Sequence, residues 1–312
     1  MNGSNIMNTQ LAGQAIAMSQ AKLLCDTMST LAESPVWDER RQVLFWCDIL
    51  GKTVRSAALE PGRYREWSFP HTVSSLGLCE NGDLVVACGM DIVILDPENG
   101  AMRLLHSIPA PEGIPCRLND GRIGPDGAFW VGTMHNVPLP DMKPHGELWR
   151  ITEKSAERMQ TGLTCPNGLA FSPDGSIMWQ SDSVQKWIRR RRFDRGNGTF
   201  DEGVLVAEMT EETGRPDGGC LDSSGTYYSA GVSAGLLNVF GPDAGHGVAL
   251  AVPVPHPTMP CFGGPDFDIL FLTSHRHNMS EDRLKTAPFS GGVWMIPTEK
   301  KGFPGFRFGD AG

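Results

Sequence analysis

The chain has 312 residues, 40% of them hydrophobic, enough to bury a substantial core in one large domain or two small ones. Its formal charge of -9 leaves no broad basic surface to neutralise phosphates, which argues against nucleic acid and for a small polar substrate. Glycine (37) and proline (23) are abundant without a collagen-like period, so many turns separate short elements and β structure is favoured.

The first twenty residues, MNGSNIMNTQLAGQAIAMSQ, carry no Lys or Arg and no continuous apolar stretch. They read as a loose extension, 1–20, ahead of a single domain over 21–312. Neither a signal peptide nor a membrane span is supported, and the expected location is cytoplasmic.

From there six short runs rich in β-branched and aromatic residues recur: VLFWCDI, DLVVACG, AFWVGTM, SIMWQSDS, TYYSAG and DILFLTS, centred near 46, 85, 130, 179, 228 and 271. Each follows a turn segment (DERRQ, ENGD, GPDG, SPDG, DSSG and GPDFD), and another apolar segment precedes each turn, which makes one hairpin per unit. Units spaced by 39 to 49 residues predict an all-β fold, a six-bladed β-propeller with four-stranded blades. An α/β fold would need helices between parallel strands, and long helical periodicities are missing.

The eight cysteines, at 25, 47, 79, 88, 116, 165, 220 and 261, show no CxxC spacing, and several lie inside the apolar runs, so reduced core residues are expected. The run RRRR at 189–192 would, in a strand, send two guanidiniums to each face. The expectation there is a solvated outer strand that protects a blade edge.

Counting back seven residues from each turn gives Glu33, Ser74, Asn119, Asn167 and Asp217, with Pro260 or Cys261 in the sixth unit. Equivalent positions at the start of a propeller's innermost strands ring one end of its channel, so these side chains are expected to converge. Four of them are Glu, Asn, Asn and Asp, the oxygen donors that hard divalent cations take. In TCPNGLAFSPDGSIMW the register assigns different roles to two pairs that both look like turns: Asp174-Gly175 is the hairpin turn, and Asn167 faces the channel.

Counting seven forward from Gly175, the end of the Asp174 turn, reaches Asp182, expected opposite Asn167 and able to orient its amide. The same count brings Met134, His135 and His275 to the channel mouth, where they would shape the substrate site. His275 and His277, two apart, would share one face of a strand, but they lack a third metal ligand.

These segments resemble the family of regucalcin, gluconolactonase and luciferin-regenerating enzyme, the senescence marker protein family of six-bladed propellers. The resemblance is carried by LAESPVWDERRQVLFWCDI, CRLNDGRIGPDGAFWVGTM, CPNGLAFSPDGSIMWQSDS, RPDGGCLDSSG and MPCFGGPDFDILFLTS, five motifs in order over nearly the whole chain after residue 25. It implies Glu33, Asn167 and Asp217 as ligands of one divalent cation, Ca²⁺ first, with Mg²⁺, Mn²⁺ or Zn²⁺ also accepted. It also implies Arg117 and Asn119 as substrate-binding residues, with Asp120 completing their motif. The implied activity is hydrolysis of lactones, chiefly of sugar acids, while some relatives act on organophosphates. Two departures stand out: the small Gly usual after the first acidic ligand is here Ser34, and the segment expected on the last blade reads SHRHNMS.

On this reading the cation polarises the lactone carbonyl and stabilises the oxyanion, while a carboxylate takes a proton from attacking water. Asp217 is the first candidate for that base and Asp120 the alternative. The expected partner is a small-molecule lactone, with neither nucleic acid nor membrane. A phosphotriesterase-like hydrolase and a non-catalytic calcium-binding propeller are the competing readings.

Overall fold

Six antiparallel sheets, each with four main strands, follow one another in the computed structural model, which describes residues 16–245 and 247–309. Their innermost strands are Ala32–Asp38, Val73–Leu78, Cys116–Ile123, Pro166–Phe171, Pro216–Leu221 and Pro257–Gly263. Each of these touches the innermost strand of the next sheet, and the sixth touches the first, which closes a ring around a channel. The architecture is the six-bladed β-propeller expected from the repeat.

The second strands are the six apolar runs: Val43–Asp48, Leu84–Cys88, Phe129–His135, Ile177–Asp182, Tyr227–Gly231 and Ile269–Ser274. A blade in the ring is covered on both faces, so these strands are apolar almost throughout instead of alternating. Their aromatic residues fill the wedges between blades. Trp179 stacks on Tyr227 at 4.4 Å between the fourth and fifth, and Trp37 on Phe271 at 5.6 Å between the first and sixth. The outermost strands, such as Tyr64–Ser68 and Met102–Ser107, are largely exposed.

The ring is fastened at both chain ends. The short strand Lys22–Leu23 pairs antiparallel with Trp294–Pro297 and supplies the outermost strand of the sixth blade. Of the extension expected over 1–20, residues 1–15 lie outside the described residues, whereas Ile16 is buried in an apolar cluster and bridges Thr298. At the other end Phe308 bridges Cys79, and the buried Arg307 donates to Asp38 at 3.2 Å and Glu39 at 2.8 Å. Phe303 and Phe306 close the apolar end of the channel over a cavity of about 90 Å³.

Every innermost strand carries a register break near its start: between Glu33 and Val36, Val73 and Ser75, Leu118 and Gly121, Asn167 and Ala170, Pro216 and Gly219, and Pro257 and Pro260. A bulge bends the strand and re-aims the side chains beside it. The count of seven finds this feature in five blades and overshoots in the sixth. There the turn is closed by the Phe267 N–H onto the Gly264 carbonyl, so the proper origin is Asp266. Counting from it gives Met259 inside the bulge, not Pro260 or Cys261.

The RRRR run departs from expectation. Its strand, Trp187–Asp194, is third in its blade and is covered by Val204–Glu208, with Ile188 paired to Ala207. Arg191 is buried, its guanidinium donating to Gln180 Oε1 at 3.2 Å and to the carbonyls of Asp201 and Glu202. The cation serves a loop inside the fold while Arg192 remains exposed and paired with Asp201. All eight cysteines are free thiols, six of them buried. No helix among the described residues is long and apolar enough to cross a membrane.

Removing residues 1–24 takes away the closing strand and the buried Ile16. The expected loss is about 2 kcal/mol or more from the isoleucine alone, read as a lower urea midpoint. An unchanged midpoint would show that the ring does not depend on this strand.

Candidate active site

The starts of the innermost strands gather at the channel mouth opposite the phenylalanine plug. Gly168 makes this possible in the fourth blade: its φ is +64°, and a side chain there would strike the Tyr227 hydroxyl and Ser181 Oγ. The Tyr227 hydroxyl instead donates to the Gly168 carbonyl at 2.8 Å. The Asn167-Gly168 pair is therefore a bulge against a neighbouring blade. Asp174-Gly175 is the hairpin turn, closed by Gly175 N–H on the Ser172 carbonyl at 2.9 Å.

A chain of hydrogen bonds fixes both asparagine amides. Arg117 Nη1 donates to Asn119 Oδ1 at 2.8 Å, and Asn119 Nδ2 donates to Asn167 Oδ1 at 3.0 Å. Asn167 Nδ2 donates to Ser183 Oγ at 2.7 Å, and the Ser183 hydroxyl donates to the Pro216 carbonyl. A guanidinium can only donate and a carbonyl can only accept, so the two ends of this chain dictate which way each amide faces. Each amide oxygen keeps a second lone pair.

Three carboxylates share the same mouth. Glu33 accepts the N–H of Ser34 at 3.1 Å and is held well above the usual carboxylate range, first by burial and then by the charges of Asp217 and Asp120. Asp217, half-buried and without a hydrogen-bond donor among the described residues, is raised by burial to about 7, with Asp120 acting in the same direction and Arg215 and Arg117 opposing. Burial raises Asp120 to about 6. Its Oδ2 accepts the Leu169 N–H at 2.9 Å, and its Oδ1 is buried without a partner. Burial also lowers the pKa of Arg117.

The donors available are carboxylate and amide oxygens, with the Asp120 and Asp217 carboxylates under-satisfied. That set suits a hard divalent cation and not a thiophilic one. Among the described residues no three of His, Cys, Asp and Glu form a metal-holding group by themselves.

Asp182 does not orient Asn167. It lies opposite Pro166, and its two oxygens accept the N–H groups of Thr164, Cys165, Val184 and Gln185. Asp48 in the first blade likewise accepts Thr30, Leu31 and Gly51 N–H. Both are clamps that tie the loop entering an innermost strand to the turn leaving the second. The amide partner is the next polar residue, Ser183, visible in the sequence only as the last letter of SIMWQSDS.

Ser34 has φ +51°, the left-handed region that favours glycine, and its Oγ accepts the Leu76 N–H at 3.0 Å. Met134 is buried opposite Arg117, its sulfur 4.0 Å from Cys165 Sγ. His135 packs edge-on against His145 at 5.2 Å and accepts the Lys143 N–H. His275 does not pair with His277: its ring stacks on His256 at 4.8 Å.

Residues 31–276 match the family described as the SMP-30/Gluconolactonase/LRE-like region. The chain belongs to this family. It is 34% identical over 267 residues to the 6-deoxy-6-sulfogluconolactonase of Pseudomonas putida, a match covering 85% of this chain and 90% of that one. It is 30% identical over 291 residues to the L-arabinolactonase of Azospirillum brasilense, covering 93% and 95%. Among solved structures it is similar to regucalcin, a calcium-binding protein from Agrobacterium tumefaciens, with a TM-score of 0.84, 26% identity and coverage of 92% and 97%.

Asp182→Ala strips acceptors from four N–H groups and is expected to cost at least about 3 kcal/mol in urea unfolding; a loss below about 1 kcal/mol would refute the clamp. The raised Asp217 has the opposite pH signature to an ordinary ion pair. The native state holds a proton that the unfolded chain releases near pH 4, so the stability this group contributes is present at low pH and lost as pH rises through about 7. His275, lowered to about 4, works in the other sense below pH 6.5, so the informative window is pH 6.5 to 8. In EDTA-treated protein Tm should fall across that window, and less steeply in Asp217→Asn; equal slopes would show that Asp217 is not the group.

Proposed function

We propose that the chain is a divalent-cation-dependent lactonase that opens the ring of a sugar-acid lactone. The observation that carries this reading is the convergence of Glu33, Asn167 and Asp217 with the Arg117–Asn119 pair at one mouth, with Asp120 beside them. The named activities of the sulfogluconolactonase and the arabinolactonase support it, and the calcium-binding regucalcin supports a cation.

Glu33, Asn167 and Asp217 would hold the ion, with Ca²⁺ the first choice for an all-oxygen set. When bound, it supplies Lewis-acid polarisation of the lactone carbonyl. Arg117 keeps donors beyond the one spent on Asn119 and Leu118, and these orient the substrate's oxygens. Asn119 is locked between Arg117 and Asn167, so it transmits the position of one to the other. Met134 and His135 line the third blade's side of the entrance.

A carboxylate near neutrality is needed to accept the proton of the attacking water. Asp217, unfixed by donors among the described residues, is the first candidate, with a basicity that coordination to the ion would lower from that of the ion-free site. Asp120 is the second, with Oδ1 unpartnered but Oδ2 fixed by Leu169.

EDTA-treated protein should hydrolyse aldonolactones in a pH-stat only after Ca²⁺, Mg²⁺, Mn²⁺ or Zn²⁺ is added back. Glu33→Gln, Asn167→Ala and Asp217→Asn should each lower kcat/KM by more than about a hundredfold with circular dichroism unchanged. Full activity in all three would sink the site. Faster turnover of a phosphotriester would point to the phosphotriesterase reading, and cation binding without any turnover to a calcium-binding propeller.

A further inference from the structure

Beside the site just described lies a second group of residues that neither the cation ligands nor the Arg117 pair uses. Arg215 precedes the innermost strand of the fifth blade by one residue and Asp217 by two. Its backbone is fully engaged: its N–H donates to Ser233 Oγ at 2.9 Å and its carbonyl accepts the Val232 N–H at 3.1 Å. The residue is half-buried with no carboxylate within ion-pair distance among the described residues, and its charge acts on Asp217, His275 and the exposed Glu211.

Val232 links Arg215 to two histidines. The Val232 carbonyl pairs with His256 Nδ1 at 3.2 Å, and because a carbonyl only accepts, Nδ1 carries a proton. The His256 ring stacks on His275 at 4.8 Å and 11°, and the His256 carbonyl accepts the His275 N–H. His275 in turn bridges Leu31, two residues before Glu33, and its Nδ1 is buried without a partner. Arg215, His256 and His275 thus follow the rim from the blade of Asp217 to the blade of Glu33. Of the three, His256 also lines a cavity of about 660 Å³, together with Ser233, Arg283, Phe289 and Trp294.

We infer that this rim is an anion-reading subsite, and that the substrate is a sugar-acid lactone carrying a second negative group, a carboxylate, sulfonate or phosphate ester, remote from its carbonyl. The inference rests on the lactonase reading of the adjoining site. Arg215 offers the planar, always-charged donor fork that such groups take, on a backbone that cannot shift away. Two stacked imidazoles follow it along the rim, and the unpartnered ring nitrogen of His275 suits a hydroxyl between the anionic group and the ring. A neutral lactone would leave the guanidinium with nothing to bind.

The test compares a glucarolactone, which bears a free carboxylate, with the neutral gluconolactone in wild type, Arg215→Gln and Arg215→Lys. Wild type should favour the glucarolactone in kcat/KM, mostly through KM. Arg215→Gln should cut that preference roughly ten- to hundredfold, the loss of a charge-assisted pair, and Arg215→Lys should retain part of it. An unchanged preference in Arg215→Gln overturns the inference. Should neither lactone be opened with any cation, the lactonase reading fails, and calorimetry with glucarate against gluconate still decides the subsite. Weaker glucarate binding in Arg215→Gln than in wild type upholds it; equal binding, or no binding by wild type, overturns it.

Discussion

Negative charge held out of water is the constraint on which the mouth of this propeller depends. Glu33, Asp120 and Asp217 come from three different blades; burial pushes all three toward their protonated forms, and for Glu33 and Asp217 the neighbouring carboxylates add to it. A chain free to relax would separate them. The closed ring does not permit it, because each carboxylate sits at a strand start whose two neighbours are other blades. The fold's rigidity is what turns an unfavourable charge arrangement into a site able to attract a cation or to accept a proton.

That rigidity has identifiable sources. Stacked aromatic residues hold blade to blade, Lys22–Leu23 and Phe308 fasten the ends, and Asp48 and Asp182 clamp the loops through which the chain enters its innermost strands. The bulges then turn the next residues inward. The run from Arg117 to the Pro216 carbonyl is fully hydrogen-bonded, while around it Asp120 Oδ1, Ser74 Oγ and His275 Nδ1 are buried without partners.

The repeat made the architecture legible, because an apolar strand flanked by turns at similar intervals has few other folds open to it. Glu33, Asn119, Asn167 and Asp217 could be aligned from the turns since one strand separates the turn from the bulge. The method failed where that distance was misread, as at Met259, and where two residues compete for one task. Asp182 looked like the partner of Asn167, but the strand pairs Asn167 with Ser181 and the Asn167 amide reaches past both to Ser183 Oγ. Arg191 was misjudged because a row of charges carries no sign of the outer strand that covers it. Arg215 and His256 gave no signal at all: they stand outside the strands and acquire meaning only from the loop contacts that bring them together.

Ser34 shows how the departures from the family pattern fit the same logic. A left-handed serine costs roughly 1 to 2 kcal/mol relative to an ordinary backbone, where glycine would cost little. Here its hydroxyl accepts the Leu76 N–H of the next blade, and its own N–H holds Glu33 Oε2. The substitution adds a side-chain bond across the boundary between two blades at the residue that positions a carboxylate. It therefore offsets strain with rigidity at the point where repulsion among the carboxylates would otherwise move Glu33 away from the mouth. The altered segment on the last blade lies at the opposite side of the same entrance, where His275 bridges Leu31 and stacks on His256. One departure adds a hydrogen bond beside Glu33, and the other supplies the His275 side of the rim.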